Sequence, residues 1–153
     1  FDPNIRPELL RSPGIQEAIL HVLEECDVLL PSEMDLAHFC GDVSEEAAVE
    51  ALFDSHRLEM IVVKNAAEGS VYYDRDRSLH VPSFKVTEVD PTGAGDCFGG
   101  TLISCVAQGI EIERALTLAN AAGAMAVSAR GPMEGNSTLR ELDNFIDSVE
   151  RHR

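Results

Sequence analysis

Thr92-Gly93-Ala94-Gly95-Asp96 is the stretch of this sequence whose residue types and spacing could do chemistry. Two glycines around an alanine let the backbone approach a ligand closely, and a helix opening there aims its first N–H groups outward with no intrahelical acceptor. Such a terminus binds anions. Asp96 stands where a carboxylate could accept a hydroxyl proton while those N–H groups hold charge on phosphoryl oxygens, and phosphoryl transfer needs both. Taken alone, Gly-Ala-Gly-Asp equally describes an ordinary helix start, with Asp96 favoured by the helix dipole.

The elements around the loop must position it. After it, Phe98, Leu102, Cys105 and Val106 recur on one helix face, and Gly109 stops that helix. Ile112, Ala115, Leu116, Ala119, Ala122, Gly123 and Ala126 then keep helical period with small residues, which predicts a core helix packed closely on a neighbour. A last helix opens near Thr138, with Glu141 three positions on, and carries Leu139, Leu142, Phe145, Ile146 and Val149 on one face. Upstream, Ile15 to Cys26 reads as a helix and Asp27 to Pro31 as a short buried strand. Ser32 can cap a helix that runs through Cys40 to Gly41, and Asp42 with Glu45 forms a capping-box pattern for another toward Phe53. Met60-Ile61-Val62-Val63-Lys64 is continuous and apolar, as a parallel strand covered on both faces would be. Gly69 allows a turn into Ser70 to Tyr73, which with Leu79 to Val81 forms an expected antiparallel edge pair. This alternation predicts an α/β layered domain with a mainly parallel sheet, whose ligands sit beyond the strands' carboxyl ends.

Composition narrows the partners. The 153 residues suit one domain, and twelve basic against twenty-seven acidic side chains give a net charge of −15, which repels nucleic acid and anionic membrane. A single nucleotide is still admissible, because local N–H groups and a metal ion can outweigh a distant field. Cys26, Cys40, Cys97 and Cys105 match no zinc or redox spacing and read as buried thiols. His21, His38, His56, His80 and His152 show no mutual metal spacing. No signal peptide or run of roughly 20 apolar residues is present, so a cytoplasmic location without membrane contact is expected. Phe1-Asp2-Pro3-Asn4 resembles the end of a strand rather than a natural start, so further chain is expected before Phe1.

Read with its neighbours, VDPTGAGDCFGG resembles the signature of the ribokinase-like carbohydrate kinases, the pfkB family, in which a D-T-x-G-A-G-D pattern carries the catalytic base. The resemblance covers essentially residues 1–153 and implies the C-terminal, nucleotide-binding and catalytic part of a three-layer α/β/α domain, with the N-terminal part and lid absent. It assigns Asp96 as general base and the backbone N–H groups of Gly93, Ala94 and Gly95 as the anion hole. Asp2-Pro3-Asn4-Ile5-Arg6 is similar to the family's D-x-N-x-R segment, where Arg6 faces the sugar or the transferring phosphate; a solvated surface arginine is the alternative. Ser32-Glu33-Met34-Asp35 stands where the family usually has N-x-x-E, which orders hydrated Mg²⁺; here the same two residues also suit a helix cap. Lys64 to Gly69 falls where the family lines its nucleotide pocket, with Lys64, Ala66 and Gly69 as candidate contacts. Ala66 replaces the usual glycine, so its turn is expected to be right-handed or extended, or the nucleotide to sit differently. Asn120 matches a position next to adenine, or is a core asparagine tied to a loop carbonyl. Asp90, the Thr92 carbonyl and the turn near Arg130-Gly131-Pro132 resemble a monovalent-cation site.

The resemblance thus implies transfer of the ATP γ-phosphate, with Mg²⁺ and a monovalent cation such as K⁺, to the hydroxyl of a ketose or keto-sugar acid such as fructose, tagatose or 2-keto-3-deoxygluconate. It further implies a homodimer for the full-length protein and an isolated chain without activity. A nucleoside kinase of the same family and a non-catalytic nucleotide-binding fragment are the rival readings.

Overall fold

The computed structural model describes residues 1–150. Two compact units divide the chain: Phe1–Asn65 with Val71–Leu79, and Ala66–Ser70 with the chain from His80 onward.

In the first unit, β1 (Val28–Leu29) pairs in parallel with β2 (Met60–Lys64), Val28 opposite Met60 and Leu29 opposite Ile61. A further parallel bridge joins Ser32 to Lys64. Phe1 also lies in parallel register beside Leu29, since its N–H donates to Val28 O at 2.7 Å and its carbonyl accepts Leu30 N–H at 2.8 Å. Met60 to Val63 are buried without alternation, as expected of a strand covered on both faces. β3 (Ser70–Tyr73) and β4 (Ser78–Val81) complete a sheet of order β1-β2-β3-β4. Their connections are too short for a crossover, so they run antiparallel and the sheet is mixed. Helices α1 (Ile15–Glu25), α2 (Glu33–Cys40) and α3 (Glu45–Ser55) bury Leu23, Leu36, Val49 and Leu52 in one cluster with Leu29 and Ile61. The cap of α3 differs from expectation: Ser44, not Asp42, is its N-cap and accepts Ala47 N–H at 3.3 Å. Asp42 lies two residues too early to reach those donors.

In the second unit, α4 (Ala94–Ala107) and α5 (Ile112–Val127) pack through fully buried Leu102, Cys105, Ala115, Leu116 and Ala119. A Cβ at Gly123 would stand 3.7 Å from Ala94 O, so the small-residue face of α5 lies directly against the opening of α4. Helix α6 (Leu139–Glu150) starts from a capping box in which Thr138 N–H donates to Glu141 Oε2 at 2.8 Å and Glu141 N–H to Thr138 Oγ1 at 3.4 Å. Its buried face is narrower than its apolar stripe: Leu142 and Ile146 are buried, whereas Leu139 is exposed.

Of the four thiols only Cys105 is buried; Cys26, Cys40 and Cys97 are half-buried, and all are unbridged. Among the described residues no cluster of His, Cys, Asp or Glu could hold a metal ion, and no helix is long and apolar enough to cross a membrane. His152 lies outside the described residues.

Candidate active site

Gly93 is the N-cap of α4 and adopts φ 83°, ψ −4°, the left-handed conformation that glycine reaches without a Cβ penalty. A Cβ there would also meet Pro132 O at 2.5 Å. Both facts require glycine. The turn brings α4's first N–H groups to the chain's surface. Ala94 N–H donates back to Pro91 O at 3.3 Å, whereas the N–H groups of Gly93, Gly95 and Asp96 have no hydrogen-bond partner among the described residues. Of the three expected anion-hole residues, Gly93 and Gly95 therefore present open donors, and Asp96 adds its own. The Asp96 side chain is exposed beside them.

A second loop braces this one. Asp90 Oδ1 accepts Thr92 N–H and Oδ2 accepts Gly131 N–H, each at 3.0 Å. The Thr92 hydroxyl, then the Thr92 and Gly131 N–H groups, hold the Asp90 carboxyl below the usual carboxylate range. Asp90, Thr92 and the Arg130-Gly131-Pro132 turn are therefore adjacent, as the sequence suggested. Cys97 Sγ donates to Asn136 Oδ1 at 3.1 Å. Burial, and then the Asp96 carboxylate, push the Cys97 thiol up, which disfavours its thiolate. The bracing roles of Pro132 and Asn136 were missed in sequence. The only available signal was the run of Gly, Pro and Asn in residues 131–136, which marks a turn without naming its neighbour.

Ala66 departs from expectation. It takes φ 48°, the left-handed conformation that its Cβ disfavours, and opens a short 3-10 turn Ala66–Glu68. The backbone thus keeps the shape a glycine would give. Gly69, at φ 104°, would place a Cβ 2.2 Å from Val81 O and 2.7 Å from Ser83 N. The end of β4 is thereby seated on this turn. Asn120, buried in α5, donates its amide to Val81 O at 3.0 Å and to Pro82 O at 3.5 Å. Of the two expectations for Asn120, the loop-carbonyl partner is the one observed.

The remaining candidates lie in the first unit. Asp35 is only 2% exposed; Oδ1 accepts Ile5 N–H at 2.8 Å, and Oδ2 accepts Ser32 N–H at 2.8 Å and Ser32 Oγ–H at 2.7 Å. Ser32 Oγ accepts Asp35 N–H at 3.3 Å, completing a capping box. A carboxylate so buried and engaged does not fit the hydrated shell of a divalent cation, and the capping role is the one this geometry supports. Lys64 is not solvated either: Nζ lies 2.5 Å from Asp2 Oδ2, with the side chains 17% and 26% exposed. Arg6 is exposed. Asp2 opens the D-x-N-x-R segment, and nothing local in the sequence points to a partner 62 residues away.

A signature describing pfkB family carbohydrate kinases matches residues 1–139. Fructokinase-2 of Zea mays is 35% identical, the match covering 95% of this chain and 46% of that protein. Ribokinase II of E. coli, solved in complex with ATP and Mg²⁺, superposes with a TM-score of 0.90 at 44% identity, over 97% of this chain and 48% of that one. Fructokinase of Vibrio cholerae O395, solved in a double-mutant form with fructose, ADP and potassium ion, superposes with a TM-score of 0.84 at 28% identity, over 95% and 49%. The fold is ribokinase-like, and the chain spans about half the length of the relatives it matches.

Proposed function

Because the chain belongs to the pfkB family of carbohydrate kinases, we propose that it supplies the catalytic base and the phosphate-binding loop of an ATP-dependent sugar kinase. The observation that carries this reading is the row of unpartnered N–H groups on Gly93, Gly95 and Asp96 beside the exposed Asp96 carboxylate.

Asp96 takes the proton of the sugar hydroxyl as its oxygen bonds to the γ-phosphorus. The bond from that phosphorus to the β,γ-bridging oxygen breaks, and ADP leaves. Charge on the γ-phosphoryl oxygens is met by the N–H groups and by the positive end of α4, both fixed before the reaction begins. Preorganised donors of this kind cost no reorganisation as charge develops. Ala66 and Gly69 give the nucleotide a turn with the shape of a glycine turn, and Asn120 holds the adjoining end of β4 in place.

Mg²⁺ would be carried by ATP itself and would supply positive charge at the phosphates, since among the described residues no cluster of His, Cys, Asp or Glu could hold it. Asp90 and the Thr92 carbonyl fit a monovalent cation: the carboxylate is held ionised, its three donors do not exhaust its lone pairs, and the carbonyl accepts no hydrogen bond among the described residues. A cation there would add positive charge beside the anion hole.

The likeness to the maize and Vibrio fructokinases supports a ketose as acceptor, and the keto-sugar acids share its hydroxyl chemistry. The test is coupled ADP release by the intact kinase, this chain joined to the remainder of a relative-length domain. Fructose, tagatose, 2-keto-3-deoxygluconate, ribose and adenosine are offered at equal ATP and Mg²⁺. Turnover with a ketose or keto-sugar acid is expected; turnover with adenosine alone would make it a nucleoside kinase, and none with any acceptor would defeat the reading. The 153-residue chain run alongside is expected to release no ADP.

A further inference from the structure

The turn that begins at Ala66 is held from outside itself, by groups that all belong to the second compact unit. Ala66, Ala67 and Glu68 are exposed, whereas Gly69 is buried. Within the turn, Gly69 N–H donates to Ala66 O at 3.2 Å. A further bond arrives from β4, where His80 Nε2 lies 2.9 Å from Glu68 O, twelve residues away in sequence. A carbonyl oxygen only accepts, so Nε2 is the donor. Among the described residues, His80 is the side chain that hydrogen-bonds to the exposed part of this turn.

A left-handed backbone at a residue with a Cβ is disfavoured by about five- to thirtyfold against its right-handed form. The φ of 48° at Ala66 therefore needs support from its surroundings. The buried end of the turn has some: Gly69 leaves no room for a Cβ against Val81 O and Ser83 N, and Asn120 donates to that same Val81 carbonyl. Both contacts act on Gly69 and β4. Glu68 is an exposed residue, so water could serve its carbonyl, and the His80 bond is not there to satisfy a buried group. What it adds is a fixed distance between the exposed residues and the strand. One net hydrogen bond favours the ordered form by about two- to tenfold, an effect of the same order as the penalty at Ala66.

We infer that His80 is a positioning residue, which through Glu68 O holds the turn opened by Ala66 in the shape that meets the nucleotide. This rests on the kinase reading and deepens it, since it names the side chain that keeps the nucleotide turn formed before ATP arrives. A turn formed only part of the time would weaken binding by the fraction of time it is absent.

Two measurements test it. The first needs no nucleotide: in the 153-residue chain the Gly69 amide is expected to exchange about two- to tenfold faster in His80→Ala, the range of one net hydrogen bond. Protection should return in His80→Gln, whose side-chain amide can donate from the same strand position. The amide of Leu116, buried in α5, is expected to keep its rate throughout. Unchanged Gly69 exchange in His80→Ala overturns the brace and leaves the kinase reading standing, and equal acceleration at Leu116 overturns it by showing that His80 only stabilises the fold. The second is calorimetric titration of the intact kinase with ATP and Mg²⁺. His80→Ala is expected to weaken ATP affinity about two- to tenfold with Ala66 present, and less than about twofold in the Ala66→Gly background, where the left-handed turn carries no Cβ penalty. Equal losses in both backgrounds overturn the inference. If His80→Ala does not fold, His80→Phe, which keeps a ring and a strand-favouring side chain but no donor, enters both comparisons with the same expected outcome. Absence of ATP binding by the unaltered kinase sinks the kinase reading itself, which the exchange experiment would not do.

Discussion

Ala66 carries a methyl group at φ 48°, where the Cβ crowds the following carbonyl, and an L-residue there loses roughly 1–2 kcal/mol relative to its right-handed form. Glycine would escape that penalty but loses more freedom on folding, about 0.5–1 kcal/mol. The difference leaves Ala66→Gly more stable by about 0.5–1 kcal/mol, an increase of a few degrees in Tm. A calorimetric Tm equal to or below that of the unaltered chain would show that this turn is not strained. The sequence made the position visible but not its outcome: an alanine in place of the usual glycine can be read from the residues, whereas the left-handed φ that the turn takes cannot. Lys64 and Asp35 present the same difficulty. Their types suit phosphate and hydrated metal, and only the fold brings Asp2 and Ile5 within reach to engage them instead.

Helix boundaries were legible where the capping residues were adjacent to the apolar run. Ser32 with Asp35 and Thr138 with Glu141 form the reciprocal pairs that their spacing predicts. The α3 cap was not, because Asp42-Val43-Ser44-Glu45-Glu46 offers two overlapping frames and only the backbone angle at Ser44 selects one. Ser44→Ala is therefore expected to cost about 1 kcal/mol, against less than about 0.5 kcal/mol for Asp42→Ala. Chemical denaturation of the two variants decides it, and a larger loss for Asp42→Ala would contradict the assignment. The parallel pair and the hairpin of the sheet were both readable, from the unbroken apolar run of β2 and from the turn after it. The exposure of Leu139 was not, since periodicity gives a face and says nothing of how much of it a neighbour covers.

At the scale of the molecule, a net charge of −15 opposes the approach of ATP, so the binding proposed above would have to come from local geometry and a metal ion carried with the nucleotide. The loop at Gly93 to Asp96 supplies such geometry without a single basic side chain. The chain spans about half the length of the relatives it matches, and Asp96 is the residue proposed to meet the acceptor hydroxyl. Loop chemistry therefore identifies the reaction more firmly than the acceptor, and Asp96 is the residue on which the account depends. Its direct test is the Asp96→Asn variant of the intact kinase, with ADP release and ATP affinity measured on the same preparation. Loss of the base is expected to slow turnover by about 10²–10⁴-fold while ATP affinity stays within about threefold. Near-normal turnover would remove Asp96 from the mechanism and contradict the assignment of this loop.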